Sequence, residues 1–258
     1  MRKLFSMLGG PTPEKMGREL LGILTSETPD AAKAVDLIQK GAQLNLCDKS
    51  GNAAIHYAVR QNLTGVVTAL AEAKADMNLP NGAAETPFTM LTGKILEAGA
   101  GASPALYAMA QLLAEKGADV DARDRQKRTP LLQAVAAGSE KLSRFLIDRK
   151  ASLQAADAEG TTPLMAAVDR EDLVFVQITL GAGARVLSKD ILGESALAAA
   201  RRKELDLQDQ MNDIGKADPD YAGISARREN LRLIRRELVK AAQPHLPAPA
   251  PAAVKRSP

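Results

Sequence analysis

Aromatic residues are scarce in this chain of 258 residues, which has 3 Tyr, 4 Phe and no Trp. Proteins that bind single-stranded nucleic acid stack bases on aromatic rings, and sites for organic cations enclose the ligand in such rings. With so few rings, neither kind of site is expected here.

Cysteine and histidine are nearly absent as well. Cys47 is the only cysteine, so the chain can form no internal disulfide and no cysteine-rich metal site. His56 and His245 are too few for most zinc or nucleophilic sites, and neither Gly-x-Ser-x-Gly nor His-Glu-x-x-His occurs. The sequence therefore predicts a protein that is not an enzyme and has no catalytic residue, cofactor or metal ion.

Long apolar runs are also missing. No run approaches the roughly 18 apolar residues that a membrane-spanning helix needs, and the apolar stretch after Met1 is too short for a signal peptide. A lone cysteine fits a reducing compartment, so we expect a cytoplasmic protein. Lys and Arg number 34 against 31 Asp and Glu, and this net charge of +3 is too small to indicate a nucleic-acid partner.

A repeat runs through the chain instead. Thr-Pro dipeptides begin at residues 86, 129 and 162, and segments such as Gly117-Ala118-Asp119-Val120-Asp121 end at residues 45, 78, 121, 154 and 187. The second series has intervals of 33, 43, 33 and 33 residues. Two motifs with one spacing indicate a repeat of 33 residues with one insertion of ten.

Each repeat has the residues for a turn and two short helices. An aspartate such as Asp157 opens a tight turn, and Gly160 supplies the positive φ that the turn requires. Thr129 then caps a helix, and Pro130 takes the first helical position because it needs no amide partner there. Neither helix is long enough to be stable alone, so each repeat must bury its apolar face on its neighbours.

With Asp-x-x-Gly-x-Thr-Pro-Leu, two helices and Gly-Ala-Asp-Val-Asp, the sequence resembles the ankyrin repeat family. The resemblance implies an all-α solenoid of about six helix-turn-helix units joined by β-hairpin-like loops. We predict a flexible N-terminal segment at 1–13, an ankyrin domain at 14–243 and a disordered Pro/Ala-rich tail at 244–258. The predicted units are 14–46 (a cap), 47–79, 80–122 (with the insertion), 123–155, 156–188 and 189–243 (the C-terminal cap).

Several positions depart from the family pattern. Only His56 keeps the motif histidine, Lys127 replaces a turn glycine, and Lys74 and Lys150 replace glycines at helix ends. We expect these lysines to weaken local order. The insertion at 93–104 is predicted to prolong a first helix, form a flexible loop and start the next helix.

The resemblance implies a protein-protein interaction module, or adaptor, that binds a partner through the concave face of the solenoid. In the family, the contact residues follow the turn aspartate and the turn glycine and end the first helix. Carried over by position, the predicted partner-binding residues are Lys49, Asn52, Arg60, Gln61, Glu85, Lys94, Arg125, Gln126, Lys127, Arg128, Glu159, Asp169, Arg170, Glu194 and Arg202. Ile191 and Leu192 occupy such positions too, and the dense charge at Arg125–Arg128 favours an acidic or mixed-charge partner.

The end of the chain allows two alternatives. A helix is predicted at 224–241, with Leu231, Ile234 and Leu238 on the face that packs on the repeats. Arg228, Arg232, Arg236 and Lys240 form a stripe at intervals of four that could bind an anion or nucleic acid, or be a solvated face. A secreted bacterial effector of ankyrin type is the other alternative. Partner identity and oligomeric state are not predicted.

Overall fold

The computed structural model describes residues 11–214, 216 and 218–243 of the chain. In this part, 12 α-helices form six consecutive pairs and there is no extended strand, which confirms the all-α prediction. Of these described helices, none is long and apolar enough to cross a membrane. Most of the predicted N-terminal segment and the predicted tail 244–258 lie outside the described residues. The chain divides into two compact units, the first ending at Pro163 and the second starting at Leu164.

The first unit contains four helix pairs. Its helices are α1 (Pro13–Leu24), α2 (Ala31–Gln39), α3 (Ala54–Arg60), α4 (Thr64–Glu72), α5 (Pro87–Ala98), α6 (Pro104–Glu115), α7 (Pro130–Ala137) and α8 (Glu140–Asp148), with a 3-10 turn at Gly99–Gly101. The first helices pack in the order α1, α3, α5 and α7, and the second helices pack in the order α2, α4 and α6. The insertion lengthens α5 and is followed by the start of α6, as predicted, and a 3-10 turn lies where a flexible loop was expected.

The first helices begin where the Thr-Pro dipeptides place them. The Oγ1 atom of Thr129 accepts the amide of Leu132 at 3.3 Å, and Pro130 follows at the first helical position. Helix α3 has Ala53 instead of threonine, and there the Nδ1 atom of His56 accepts the amide of Ala53 at 3.0 Å. His56 is fully buried and has a structural role in starting this helix.

One side-chain oxygen sets each hairpin turn. The Oδ1 atom of the turn residue accepts the amides two and four residues later, at 2.8–3.0 Å at each of five turns. These turn residues are Asp48, Asn81, Asp124, Asp157 and Asp190. The third residue after each has a φ between 60° and 83°. The turn is thus the same in all five places, whether that third residue is glycine, alanine or lysine.

The three lysines that replace glycine keep the glycine conformation. Lys74, Lys127 and Lys150 have φ values of 63°, 60° and 63°, in the left-handed region that disfavours residues with a Cβ. Their amides still close the local turns, as Lys127 shows by donating to the carbonyl of Asp124 at 2.9 Å. The surrounding hydrogen bonds thus hold the backbone of these lysines in the conformation that glycine would adopt.

The core of the first unit lies between the two rows of helices. Its largest side chains are at most 1% exposed: Leu20, Leu24, Ile55, Leu70, Phe88, Leu91, Ile95, Met109, Leu113, Leu131, Leu142 and Leu146. Burying a side chain of this size stabilises the fold by about 1.5–3 kcal/mol. Because these residues come from successive pairs, each helix depends on its neighbours for burial.

The second unit ends in two long helices. Its helices are α9 (Pro163–Asp169), α10 (Leu173–Gly181), α11 (Ala196–Ile214) and α12 (Tyr221–Ala242), and α12 packs on both α10 and α11. Leu231, Ile234 and Leu238 have no exposed surface, which confirms the predicted buried face of α12. The carboxylate of Glu171 accepts two hydrogen bonds from Arg227, at 2.8 and 3.0 Å, and so fixes α12 to the loop before α10.

The left-handed lysines give a direct stability test. We expect Lys150→Gly to raise the free energy of unfolding by about 1 kcal/mol, because glycine adopts a positive φ without steric cost. Lys116→Gly is the control, since Lys116 ends α6 with a φ of −92°. Glycine there should lower stability slightly. Urea unfolding measures both variants, and a lower stability for Lys150→Gly would contradict the interpretation.

His56 should make the folded state sensitive to mild acid. Burial lowers the pKa of His56 below its usual 6.5, although backbone groups of Glu85 and Leu79 act in the opposite direction. The unfolded chain therefore takes up a proton near pH 6.5 that the folded chain takes up only at lower pH. Stability should fall as the pH drops from about 7 to about 5.

His56→Gln provides the comparison, because it removes this titration and leaves His245 in place. Urea unfolding of the variant should depend less on pH over the same interval. An equal loss of stability in both proteins would show that another group causes the effect.

Candidate binding surface

The hairpin tips of the first unit are joined to one another by hydrogen bonds. The amide of Gly82 donates to the carbonyl of Ser50 at 2.9 Å, and the amide of Ala158 donates to the carbonyl of Gln126 at 3.1 Å. The guanidinium of Arg125 donates to the carbonyl of Gly82. The tips of successive repeats therefore lie side by side in this unit.

A second series of bonds joins the start of each hairpin to the next. Asn45 Oδ1 accepts the amide of Asp76 at 3.1 Å, and Asn78 Oδ1 accepts the amide of Asp119 at 2.7 Å. Asp121 continues the series by accepting the amide of Ser152 at 2.8 Å. Because backbone atoms are held at both the base and the tip, this surface is preorganised for binding.

Comparisons with known proteins agree with this geometry. Residues 100–190 match the family model for ankyrin repeats, in three copies. The matched segment therefore consists of ankyrin repeats. The crystal structure of EF0377, an ankyrin repeat protein, has the same fold with a TM-score of 0.55 and 23% sequence identity, and the match covers 71% of this chain and 90% of that chain. No curated protein matches the sequence.

Four of the predicted contact residues present exposed side chains at the hairpin tips. Lys49, Gln126, Lys127 and Glu159 are exposed. Their side chains make no hydrogen bond or ion pair with the described part of the chain. They follow the turn residues directly, so their backbone is fixed while their polar ends meet solvent.

Two arginines at the same tips are already engaged. Arg128 forms an ion pair with Asp124 at 2.8 Å and keeps 47% of its side chain exposed, while Arg125 bonds to the neighbouring tip. Burial raises the pKa of Asp124, but hydrogen bonds from the amide and guanidinium of Arg128 and from Gln133 outweigh it, so the pKa is lowered. Both arginines keep their charge at the surface, although their positions are set by the fold.

Three more predicted residues connect the first helices. Lys94 Nζ donates to the carbonyl of Arg60 at 2.6 Å, and Gln61 Nε2 donates to the carbonyl of Leu24 at 2.8 Å. The guanidinium of Arg60 lies 5.3 Å from the ring centre of Tyr57 and is exposed. Of these three, Arg60 offers the most accessible charge.

Asn52 and Glu85 lie deeper than a contact residue would. Asn52 is only 6% exposed, and its Oδ1 atom accepts a hydrogen bond of 3.2 Å from the side chain of Asn81. The same amide group of Asn81 donates to Glu85 at 3.2 Å. These side chains therefore form hydrogen bonds that link two neighbouring hairpins beneath the surface.

The second unit carries the last four predicted residues, Asp169, Arg170, Glu194 and Arg202. Arg202 donates two hydrogen bonds to Glu194, at 2.9 and 3.1 Å, so these two charges compensate each other. The carbonyl of Asp169 accepts a bond of 2.9 Å from Lys203. Arg170 is exposed beside the ring of Phe175, at 5.7 Å from the ring centre.

The last hairpin of the second unit has an apolar tip. Ile191 and Leu192 are 70% and 84% exposed, at the positions that hold Lys49 and Ser50 in the second repeat. Their turn is held by Asp190 like the others. Two large apolar side chains therefore face water at adjacent positions of this tip.

The insertion forms one wall of a cleft in the first unit. Leu96, Gly99, Ala100 and Tyr107 face the loop at 137–141 across a space of about 360 Å³. The ammonium group of Lys141 lies 4.2 Å from the ring centre of Tyr107, and burial raises the pKa of this tyrosine. The inserted segment therefore lies against the next repeat.

The close contact between tips can be tested at Gly82. A Cβ atom on this residue would lie 2.5 Å from the carbonyl oxygen of Ser50, so the two hairpins would have to separate. Gly82→Ala should lower stability by about 1–3 kcal/mol and speed amide hydrogen exchange at residues 82–85. Ala83→Gly is the control, because it changes the neighbouring exposed residue of the same turn. Equal rates of amide hydrogen exchange in the parent and in Gly82→Ala would contradict the packing described.

Proposed function

We propose that this protein is a non-enzymatic adaptor that binds a partner protein through its hairpin tips and first helices. The observation that carries the proposal is the set of free side chains Lys49, Gln126, Lys127 and Glu159 on turns whose backbone is fixed. Ankyrin repeats are generally protein-protein interaction modules. A fixed backbone favours binding because little conformational freedom is lost when the partner docks.

The charges of the tips favour an acidic or mixed-charge partner. Lys49 and Lys127 are free cations, Arg125 and Arg128 add positive charge that is only partly neutralised, and Glu159 is the free anion of the next tip. Such exposed charges steer association and set specificity more than they add affinity. The single cysteine supports the cytoplasm as the location of this function.

The apolar tip offers a different contribution in the second unit. Ile191 and Leu192 are more exposed than any other large apolar residue of the described chain. A partner that covered them would remove apolar surface from water, and buried anchors of this kind dominate the energy of protein interfaces. We therefore propose them as a separate contact site within the second unit.

Reversing the free tip charges tests the proposal. Affinity purification with mass spectrometry first identifies the partner. Lys49→Glu combined with Lys127→Glu should then weaken its binding more than tenfold, about 1.4 kcal/mol, because both cations would become repulsive towards an acidic surface. Thermal stability should barely change, since neither side chain has a partner among the described residues.

The matched control is Lys116→Glu combined with Lys150→Glu. These lysines are exposed at the ends of the second helices, and Lys150 shares the positive φ of Lys127. The control changes the net charge equally but should leave affinity within about twofold of the parent. Binding that is lost in the control and kept in the tip variant would place the interface on the second helices.

A further inference from the structure

The C-terminal helix α12 carries an excess of positive charge. Residues 224–243 contain six basic and two acidic side chains. The predicted stripe places Arg228, Arg232, Arg236 and Lys240 at intervals of four, which brings them onto one side of the helix. Like charges at this spacing repel one another, so the stripe by itself opposes helix formation.

The fold neutralises only part of this stripe. Glu204 of α11 is 8% exposed and forms ion pairs with both Arg232 at 3.1 Å and Arg235 at 2.8 Å. One carboxylate thus serves two guanidinium groups. Arg232 also contacts Glu229 at 3.2 Å.

Arg236 and Lys240 remain without a counter-ion among the described residues. Both are exposed, and neither makes a hydrogen bond or ion pair in the described part of the chain. Lys240 lies in the last turn of α12, where a cation favours the negative end of the helix dipole. Arg236 lies nearly two turns before the end, so the dipole gives it little stabilisation.

These free cations share a cleft with uncharged side chains. Arg232, Arg235, Arg236, Val239, Lys240 and Gln243 line one open cleft along the end of α12, here called the α12 basic surface. Val239 is 38% exposed within it, and Leu233 is 42% exposed on the same helix. The surface therefore offers guanidinium groups for carboxylates and the side chain of Val239 for hydrophobic contact.

We propose that the α12 basic surface binds an acidic protein segment that also carries apolar side chains, independently of the hairpin tips. Carboxylates match the planar guanidinium groups of Arg232, Arg235 and Arg236, and the apolar side chains of the segment cover Val239. Nucleic acid fits this surface less well, because no aromatic ring lines it for base stacking.

Fluorescence anisotropy with the full chain tests this proposal. The probe is a fluorescein-labelled peptide of about twelve residues with a repeating Glu-Glu-Leu sequence, in buffer of low ionic strength. We expect saturable binding that weakens as salt is added, because charge pairs at the surface are screened. Arg236→Glu combined with Lys240→Glu should weaken binding more than tenfold, and Arg236→Gln combined with Lys240→Gln should weaken it less.

Lys116→Glu combined with Lys150→Glu is the control, with the same change in net charge on the other unit. It should keep the affinity of the parent within about twofold. Circular dichroism verifies that each variant is folded. If Arg236→Glu combined with Lys240→Glu does not fold, the binding measured for Arg236→Gln combined with Lys240→Gln decides the outcome.

Four results would overturn the proposal. These are no binding of the peptide by the parent, unchanged binding by both α12 variants, an equal loss in the control, or tighter binding of a single-stranded oligonucleotide or of phosphatidylserine vesicles at the same surface. None of them bears on the tip variants of the proposed adaptor function, which are measured with a different partner.

Discussion

At each hairpin, one oxygen of an aspartate or asparagine side chain accepts two backbone amides, and this pair of bonds determines where the chain turns. The geometry repeats at residues 48, 81, 124, 157 and 190 within 0.2 Å, from 2.8 to 3.0 Å. It holds the third turn residue at a positive φ, and it does so even where that residue is Ala84 or Lys127. The Thr-Pro start of the next helix and the exposure of the tip both follow from this turn.

The turns place short helices where packing can stabilise them. Helix α3 has 7 residues and α7 has 8, which is too short for either to persist alone. Burial against the neighbouring pairs supplies what the helices lack, and bonds such as Asn78 Oδ1 to the amide of Asp119 fix the spacing between repeats. The rigidity needed for a binding surface is thus a consequence of the same contacts that stabilise the fold.

Charge at the surface is divided between structure and recognition. In the first unit, Arg128 is held by Asp124 while Lys127 beside it is free, and in the second unit Glu204 holds Arg232 and Arg235 while Arg236 is free. Basic residues that look alike in the sequence therefore have different roles, because some stabilise the fold and others are available to a partner. Each proposed surface includes cations that have no counter-ion among the described residues, and those can gain most from a partner.

The sequence alone determined the repeat, the positions of the turns, the starts of the helices at Thr-Pro and the buried face of α12, because each depends on residues close together in the chain. It did not determine which predicted contact residues are available. Arg125 bonds to the carbonyl of Gly82, 43 residues earlier, and Lys94 bonds to the carbonyl of Arg60, 34 residues earlier. Such bonds exist only after the repeats have stacked, so only the tertiary structure separates Lys49 and Lys127, whose charges face water, from side chains of similar chemistry that hold the repeats together.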